Sequence, residues 1–236
     1  MPLQLQHRYS FNDGTMSDSI GGSQWDGTLH NKAQILNGSI VLSKTSVSHN
    51  FSTGSHARLP NGALGNSSSI SLEMWVDIDQ DNKDMFRLFH FGDPVNNCPS
   101  IYCRSQTGFL CCSRCSENGE SLDDICTNQI FNGSKFHLIY SIDPAGLTTM
   151  YVNGETVASS SQSSPIFGRR PQDILLLGAS PVFSDPTLWG IIHEFRIWSG
   201  AFGNSTARIN FQIGPNHVNN RTLSSIPLLL SLPFLF

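Results

Sequence analysis

All six cysteines of the chain lie in one short window, from Cys98 to Cys126, and their spacing allows two kinds of chemistry. An even number of cysteines in a stretch rich in Gly, Ser and Asn is typical of a local set of disulfides. The step Cys112-Ser-Arg-Cys115 would also suit zinc, but a structural zinc site normally needs a second such step. Bound zinc and free thiols are therefore the alternatives. We predict three disulfides, with their pairing left open, among Cys98, Cys103, Cys111, Cys112, Cys115 and Cys126.

Acidic residues on one face of a predicted strand are the next candidates for chemistry. Hydrolysis of a glycosidic bond needs two carboxyl groups about 5–9.5 Å apart. Glu73 and Asp77 share a strand face, but the usual rise of a strand separates them by roughly 13 Å. The sequence also has no Gly-x-Ser-x-Gly step and no glycine-rich phosphate loop. We therefore predict that the protein is not an enzyme and that it has no catalytic residues.

Asn-x-Ser/Thr sequons are scattered along the chain and favour a secreted glycoprotein. They begin at Asn37, Asn50, Asn66, Asn132, Asn204 and Asn220. Together with the cysteines, they predict an extracellular or cell-surface location.

The composition argues against nucleic acid as a partner and against a membrane-spanning helix. The chain has 236 residues, with 14 basic and 18 acidic side chains and a net charge of −4. No basic run is available to neutralise phosphates, so nucleic acid is not an expected partner. No stretch of 18 apolar residues is present either, so no membrane-spanning helix is expected.

The two ends of the sequence carry signals of a different kind. No secretory signal is visible before residue 8, so either the protein is cytosolic or its N-terminal segment is missing from the sequence. Residues 226–236 are uncharged and follow a polar spacer at 215–225. This arrangement resembles a GPI-attachment signal. A frayed end or the start of a longer chain would give the same sequence pattern. Residues 213–236 are interpreted as a tail outside the fold, and the only expected contact with a membrane is through such an anchor.

Period-two alternation of apolar residues, bounded by turn residues, predicts β-strands along most of the chain. Asn153-Gly154 between two such runs predicts a tight hairpin, because both residues tolerate positive φ. In the last strand, Ile191, Phe195 and Ile197 are expected to face inward. A helix is predicted only near residues 204–212. The strands are predicted at 69–78, 85–91, 135–143, 148–152, 155–159, 174–177 and 189–198.

Strand follows strand without intervening helices, which excludes a parallel α/β sheet. Roughly a dozen strands with turns every 8–12 residues are typical of a sandwich or jelly roll. The predicted fold class is all-β: a two-sheet antiparallel jelly-roll sandwich forming a single domain at residues 5–212.

Several sequence blocks, in order along the chain, resemble the laminin-G-like, concanavalin A-like jelly-roll family. They include HRYSFNDG at 7–14, SISLEMWV at 69–76, RLFHFGD at 87–93, YVNG at 151–154 and GIIHEFRIW at 190–198. The resemblance implies a fold that hosts lectins, adhesion modules, pentraxin-like proteins and glucanases. The Glu-x-Asp-x-x-Glu spacing of the glucanases is absent. Residues 98–126 depart from the family pattern, and we expect a disulfide-rich insertion that lies outside the sandwich core.

The resemblance also implies one structural Ca²⁺ where the first and last strands meet. Asp13, Asp18 and Glu194 are the candidate ligands, because calcium binds oxygen atoms. The family usually has Asp before this Glu, whereas this chain has His193. The alternative is that Asp13 and Asp18 only stabilise turns.

A sugar site would need an exposed aromatic face, and four tryptophans are available, although a tryptophan in a sandwich more often belongs to the core. They are Trp25, Trp75, Trp189 and Trp198, and none is assigned a sugar-binding role. We predict a non-catalytic extracellular recognition module that binds a glycan or an extracellular protein. The alternatives are a structural surface-coat module, lipid-anchored or not, and a degenerate glycoside hydrolase.

Overall fold

The computed structural model describes nine segments of the chain, and its architecture is a sandwich of two antiparallel sheets. The described residues are 2–43, 52–82, 85–92, 99–106, 109–116, 121–128, 133–161, 174–182 and 184–218. They form fifteen strands, one α-helix and a short 3-10 helix at Ser23–Trp25.

The strands are numbered in chain order, and the α-helix follows the last of them. They are β1 Gln4–Tyr9, β2 Thr28–His30, β3 Gln34–Leu36, β4 Ser39–Leu42, β5 His56–Arg58, β6 Ile70–Ile78, β7 Arg87–Phe91, β8 Ser100–Gln106, β9 Phe109–Cys115, β10 Ser121–Cys126, β11 Lys135–Ile142, β12 Leu147–Val152, β13 Glu155–Ser161, β14 Leu175–Leu177, β15 Gly190–Ser199 and the helix α1 Asn204–Ile213.

Each sheet mixes strands from both halves of the chain, as in a jelly roll. The eight-stranded sheet has the order β13-β12-β11-β6-β15-β4-β3, with β1 paired to β15. The seven-stranded sheet has the order β10-β9-β8-β7-β14-β5-β2. All ladders are antiparallel, and the first and last strands meet as the family resemblance implies. The predicted fold class is confirmed.

The core lies between the two sheets and follows the alternation seen in the sequence. On β6, Ile70, Leu72, Met74, Val76 and Ile78 all belong to the core between the sheets. β7 is buried at every position, as is typical of a central strand, and it is the fourth of seven strands in its sheet.

The predicted hairpin at Asn153-Gly154 joins β12 and β13. Both residues have positive φ, 51° and 81°, as a tight primed turn requires. The predicted helix is present as α1.

One predicted inward position on β15 is wrong. The core contains Ile192, Phe195 and Ile197, whereas Ile191 is only half-buried. The ladder to β6 shifts register between Ile192 and Glu194, which is the position of a β-bulge. A bulge inserts one residue and reverses the alternation on one side of it, so a strict period of two fails there.

The prediction that residues 98–126 lie outside the sandwich core is also wrong. Their described parts form β8, β9 and β10, which make up one side of the seven-stranded sheet. Ile101, Leu110 and Ile125 belong to the core. The period-two pattern of these strands is partly hidden in the sequence because cysteines occupy inward positions.

Two disulfides cross-link these strands. Cys103 bonds to Cys112 within the core, and Cys111 bonds to Cys126 on the opposite face of the sheet. Cys115 has no disulfide partner among the described residues, and Cys98 lies outside them. The third predicted disulfide therefore stays a prediction.

The helix α1 covers the outer face of the eight-stranded sheet. Ala207 of the helix packs with Ile139, Tyr151 and Trp198 in a second, smaller apolar cluster. Among the described residues, no helix is long and apolar enough to cross a membrane.

Candidate functional site

The outer face of the seven-stranded sheet carries one continuous row of side chains. Residues that face each other across neighbouring strands project from the same face of a sheet. The adjacent row points inward and contains Phe89 and Cys103, both in the core. The outward row runs across all seven strands as Thr28, Arg58, Leu176, His90, Tyr102, Ser113 and Asp124.

A cavity of about 230 Å³ opens at one end of this row. Its lining combines apolar and hydrogen-bonding groups: His30, Asn31, Ser52, His56, Arg58, Ile174 and Leu176. The rings of His30 and His56 stack in parallel, with centroids 4.8 Å apart. Burial is the main cause that lowers the pKa of His56, and the nearby His30 and Arg58 lower it further. His56 is therefore neutral at physiological pH, and its Nδ1 donates a hydrogen bond to the carbonyl of Gly54 at 3.0 Å.

The row continues from the cavity to Tyr102, a half-buried tyrosine on β8. Leu176, on the cavity lining, lies directly opposite His90, whose ring stacks on Tyr102 with centroids 5.1 Å apart. Two guanidinium groups also contact this tyrosine. Arg87 lies 4.4 Å from the ring centroid, and Arg104 donates a hydrogen bond to the hydroxyl at 3.1 Å.

The side chains around Tyr102 include several buried polar atoms without hydrogen-bond partners. These are both ring nitrogens of His90, Nε and Nη1 of Arg87, and the hydroxyl of Ser100. All three residues are nearly inaccessible, with exposed fractions of 1%, 5% and 0%. Burial, with a smaller effect of Arg87, lowers the pKa of His90 to about 3, so the imidazole is neutral at physiological pH.

The residues predicted to bind calcium do not fit a calcium ion. The two carboxylate oxygens of Glu194 accept hydrogen bonds from Arg8, Arg196 and the backbone N–H of Asn216. A calcium ion needs six to eight oxygen ligands. The two guanidinium groups at Glu194 place positive charge where the ion would have to lie.

The two predicted aspartates also have protein donors in place of a metal. Asp18 accepts hydrogen bonds from His7 and from the backbone N–H groups of Arg8, Ile20 and Gly21. Burial opposes ionisation of Asp18, but these hydrogen bonds outweigh it and lower its pKa. Asp13 is exposed and accepts hydrogen bonds from Thr15 and Ser17 in its own turn. Both aspartates thus stabilise turns.

One set of possible metal ligands occurs among the described residues, and it does not fit a metal either. Cys111, Asp124 and Cys126 bring ligand atoms within 4.8 Å of one another. The two cysteines form a disulfide with each other, so neither offers a thiolate. Zinc and calcium are both poorly suited to this position, because thiolates bind zinc and calcium needs more oxygen atoms.

None of the four tryptophans offers an exposed aromatic face. Trp75, Trp189 and Trp198 are buried, with exposed fractions of 2%, 5% and 1%, and Trp25 packs against the core. Trp75 does project from the outer face of its sheet, but Arg196 and His137 cover its ring.

Glu73 is enclosed in the same buried network beneath α1. Its carboxylate accepts hydrogen bonds from His137, Trp198 and Asn210, and it pairs with Arg196. Burial alone would raise the pKa of Glu73, but Arg196 and His137 lower it below its ordinary value. An ionised carboxylate without access to solvent cannot act as a proton donor to a substrate.

Three predicted glycosylation positions lie in described parts of the chain, and all three are exposed: Asn37, Asn66 and Asn204. Asn37 lies in the turn between β3 and β4, and Asn204 begins α1. The β3–β4 turn is part of the eight-stranded sheet, and α1 packs on the outer face of that sheet. Glycans at these two positions would therefore leave the outer face of the seven-stranded sheet uncovered. Asn50, Asn132 and Asn220 lie outside the described residues.

The sequence analysis missed the residues of this outer face, although a signal for part of them exists. In β8, Ser100, Tyr102 and Arg104 alternate with Ile101 and Cys103. That period of two predicts a strand with a polar outer face. The cysteines that interrupt this alternation favour the interpretation of the segment as an insertion.

Comparison with known families identifies the fold and its family. A family model described as the concanavalin A-like lectin/glucanases superfamily matches residues 51–207. The chain belongs to this superfamily. No curated protein matches the sequence.

Similar solved structures include both an enzyme-associated domain and toxin binding domains. Domain 4 of AbnA, a GH43 extracellular arabinanase from Geobacillus stearothermophilus, solved with arabinotriose, has a TM-score of 0.70 at 24% identity; the match covers 89% of this chain and 98% of that one. The binding domain of botulinum neurotoxin DC, solved with SialylT, has a TM-score of 0.67 at 15% identity. The receptor-binding domain of botulinum neurotoxin type G has a TM-score of 0.64 at 15% identity. Both toxin matches cover 89% of this chain, which spans 51% of the toxin domains. At these identities the likeness shows the fold alone.

Proposed function

We propose that this protein is a non-catalytic module that binds glycans through the outer face of its seven-stranded sheet. The observation that carries the proposal is the row from Arg58 through Leu176 and His90 to Tyr102, which joins a cavity to a half-buried tyrosine. Sugar recognition uses this combination, because apolar ring faces pack on aromatic groups while hydroxyls need donors and acceptors.

The comparisons support the same class of ligand. Relatives of this fold were solved with arabinotriose and with SialylT, so the architecture can present a saccharide site. Fold alone does not assign a ligand, so the proposal rests on the outer face of this chain.

The surroundings of its acidic residues support a non-catalytic role. Glycoside hydrolysis needs one carboxylic acid that can give up its proton and a second carboxylate close by. Glu73 is enclosed by donors that keep it ionised. Asp77 lies four residues further along the same strand, paired with His193 at 3.0 Å.

An extracellular or cell-surface location is part of the proposal. Disulfides persist in oxidising compartments, and the described residues contain two of them. The exposed sequons at Asn37, Asn66 and Asn204 would be accessible to glycosylation there. The predicted lipid-anchor signal lies outside the described residues, so attachment to a membrane remains a proposal without structural support.

The proposal is tested by a glycan array followed by titration of the best ligand with two variants. Arg58→Ala alters the cavity rim, and Arg208→Ala removes an exposed arginine from the far side of the molecule, where it pairs with Glu155. We expect Arg58→Ala to weaken binding roughly tenfold, the value of one good hydrogen bond to a charged group, and Arg208→Ala to leave it unchanged. An array without any bound glycan, or equal effects of the two variants, would contradict the proposal.

A further inference from the structure

We infer that the cluster around Tyr102 is a binding position for the carboxylate of an acidic sugar, such as a uronate or a sialate. This inference rests on the proposed function and specifies its ligand. It starts from the unpartnered polar atoms of Arg87, His90 and Ser100, which are buried together on the outer face of one sheet.

Such a cluster is unusual in a folded protein. More than nine in ten buried polar groups have a hydrogen-bond partner, and each group left without one costs about 1–3 kcal/mol. Five unpartnered atoms on three residues of one sheet face therefore leave hydrogen-bonding capacity that a ligand can satisfy. Arg87 contacts the Tyr102 ring, and His90 stacks on that ring, so the unpartnered groups of these two residues flank one aromatic side chain.

The types of atom define the ligand's chemistry. Arg87 and Ser100 offer donors, and neutral His90 offers one donor and one acceptor. Arg87 already pairs with Asp185 at 2.8 Å through Nη2, which leaves Nε and Nη1 for a ligand. Guanidinium groups bind carboxylates better than they bind hydroxyls, because the charge strengthens each hydrogen bond.

The charges on this face agree with an anionic ligand. Arg58, Arg87 and Arg104 all project from it, and their register places Arg58 in the same row as His90 and Arg104 opposite Arg87. Asp185 and Asp124 pair with two of the three arginines. The three guanidinium groups place hydrogen-bond donors suited to an anion on one face of a chain whose net charge is −4.

The cluster also lies next to the cavity, so one oligosaccharide can reach both. Leu176 lines the cavity and faces His90 across the ladder, at the spacing of neighbouring strands. Tyr102 and Arg104, at the edge of the cluster, are half-buried, so a ligand that contacts them must displace little protein to reach Arg87. A neutral sugar unit would occupy the cavity while the carboxylate of the next unit reaches Arg87.

The test compares acidic oligosaccharides with their own methyl esters by calorimetry. The probes are a set of uronate and sialate oligosaccharides, each with its ester, which keeps the sugar and removes the charge. We expect the wild-type protein to bind at least one acid roughly tenfold or more tightly than its ester. Arg87→Gln should abolish this preference, and the matched exposed variant Arg208→Gln should keep it.

Two further variants cover the case in which Arg87→Gln does not fold because Asp185 loses its partner. Ser100→Ala and His90→Phe remove unpartnered polar atoms, so their melting temperatures should stay equal or rise while the preference for the acid falls. Esters that bind as well as acids, or a preference unaffected by these variants, would overturn the acidic-sugar assignment and leave glycan recognition standing. Failure of every acid and ester to bind would also overturn it, and the glycan array then decides whether the proposed function survives.

Discussion

The guanidinium of Arg8 on the first strand donates a hydrogen bond to the carboxylate of Glu194 on the last strand, at 2.7 Å. The contact joins residues that are 186 positions apart in the chain. It occupies the position where the family resemblance implied a calcium ion.

Glu194→Gln should therefore destabilise the protein without any calcium being involved. The Glu194 side chain is fully buried and pairs with Arg8 and Arg196, so removing its charge takes this counter-ion from Arg8 and leaves Arg196 with Glu73. Breaking a buried ion pair costs about 3–5 kcal/mol, on the order of 10 °C in melting temperature for a domain of this size. Thermal melts in chelator should show this loss.

The same melts separate the ion pair from a calcium site. Asp13→Asn is the matched control, and because Asp13 is exposed, it should change stability by no more than about 0.5 kcal/mol. Calcium and chelator should give the same melting temperature for the wild-type protein. A calcium-dependent increase that disappears in Glu194→Gln, with an unchanged melt in chelator, would show that these residues do hold the ion.

Deletion of residues 98–126 should prevent folding. The segment supplies β8, β9 and β10, and it buries Cys103, Leu110 and Ile125 against the rest of the core. Removing three strands from a seven-stranded sheet exposes more apolar surface than a marginally stable domain can tolerate. Near-ultraviolet circular dichroism and a thermal melt are the measurements. A cooperative melt of the shortened chain would mean that the sandwich closes without this segment.

Mass spectrometry of the unreduced protein should show the loss of six hydrogens relative to the reduced chain. Two bonds join Cys103 to Cys112 and Cys111 to Cys126, so the third must join Cys98 to Cys115, the two cysteines that remain. Peptide mapping should find that cross-link. Alkylation of Cys98 and Cys115 without prior reduction would disprove the third disulfide.

Stability should fall on acidification below about pH 6.5, and His90 should cause part of this loss. The folded protein holds the pKa of His90 at about 3, below the ordinary 6.5, mainly through burial. A lowered histidine pKa gives stability that is complete above the unfolded value and is lost as the pH falls towards the folded one. The expected slope is roughly 1.4 kcal/mol for each pH unit between about pH 6 and pH 4.

Urea denaturation across this pH range measures the effect. His90→Phe should reduce the slope of the unfolding free energy against pH by the contribution of about one proton. His217→Gln, at an exposed position, should leave this slope unchanged. Equal slopes in the wild-type protein and His90→Phe would show that His90 does not titrate as its burial requires.

The sequence predicts the fold well because alternation and turn chemistry are local signals. β6, the Asn153-Gly154 hairpin and α1 follow directly from short stretches of residues. The alternation fails at Ile191, where the bulge before Glu194 depends on pairing with a distant strand. The roles of Arg8 and Arg196 are equally non-local, because only the sheet order brings them to Glu194.

The outer-face residues could be predicted only in part. Ser100, Tyr102 and Arg104 share one face because residues alternate along their own strand. Arg87 lies on the same face only because a bulge in β7 shifts its register, and Arg58 only because β14 places β5 in the same sheet. The burial of His90 depends on its surroundings in the folded protein, which no short pattern specifies.

The most direct test of the central claim is to map a bound glycan on the isotope-labelled protein by NMR, using the best ligand from the array. Binding at the outer face of the seven-stranded sheet predicts amide shift changes in β5, β7, β8 and β14, with the largest near Arg58, His90 and Tyr102. Two other pockets exist among the described residues, one lined by Asp79, Asp81 and Lys135 and one lined by Thr149, Tyr151 and Asn204, and changes confined to either would contradict it.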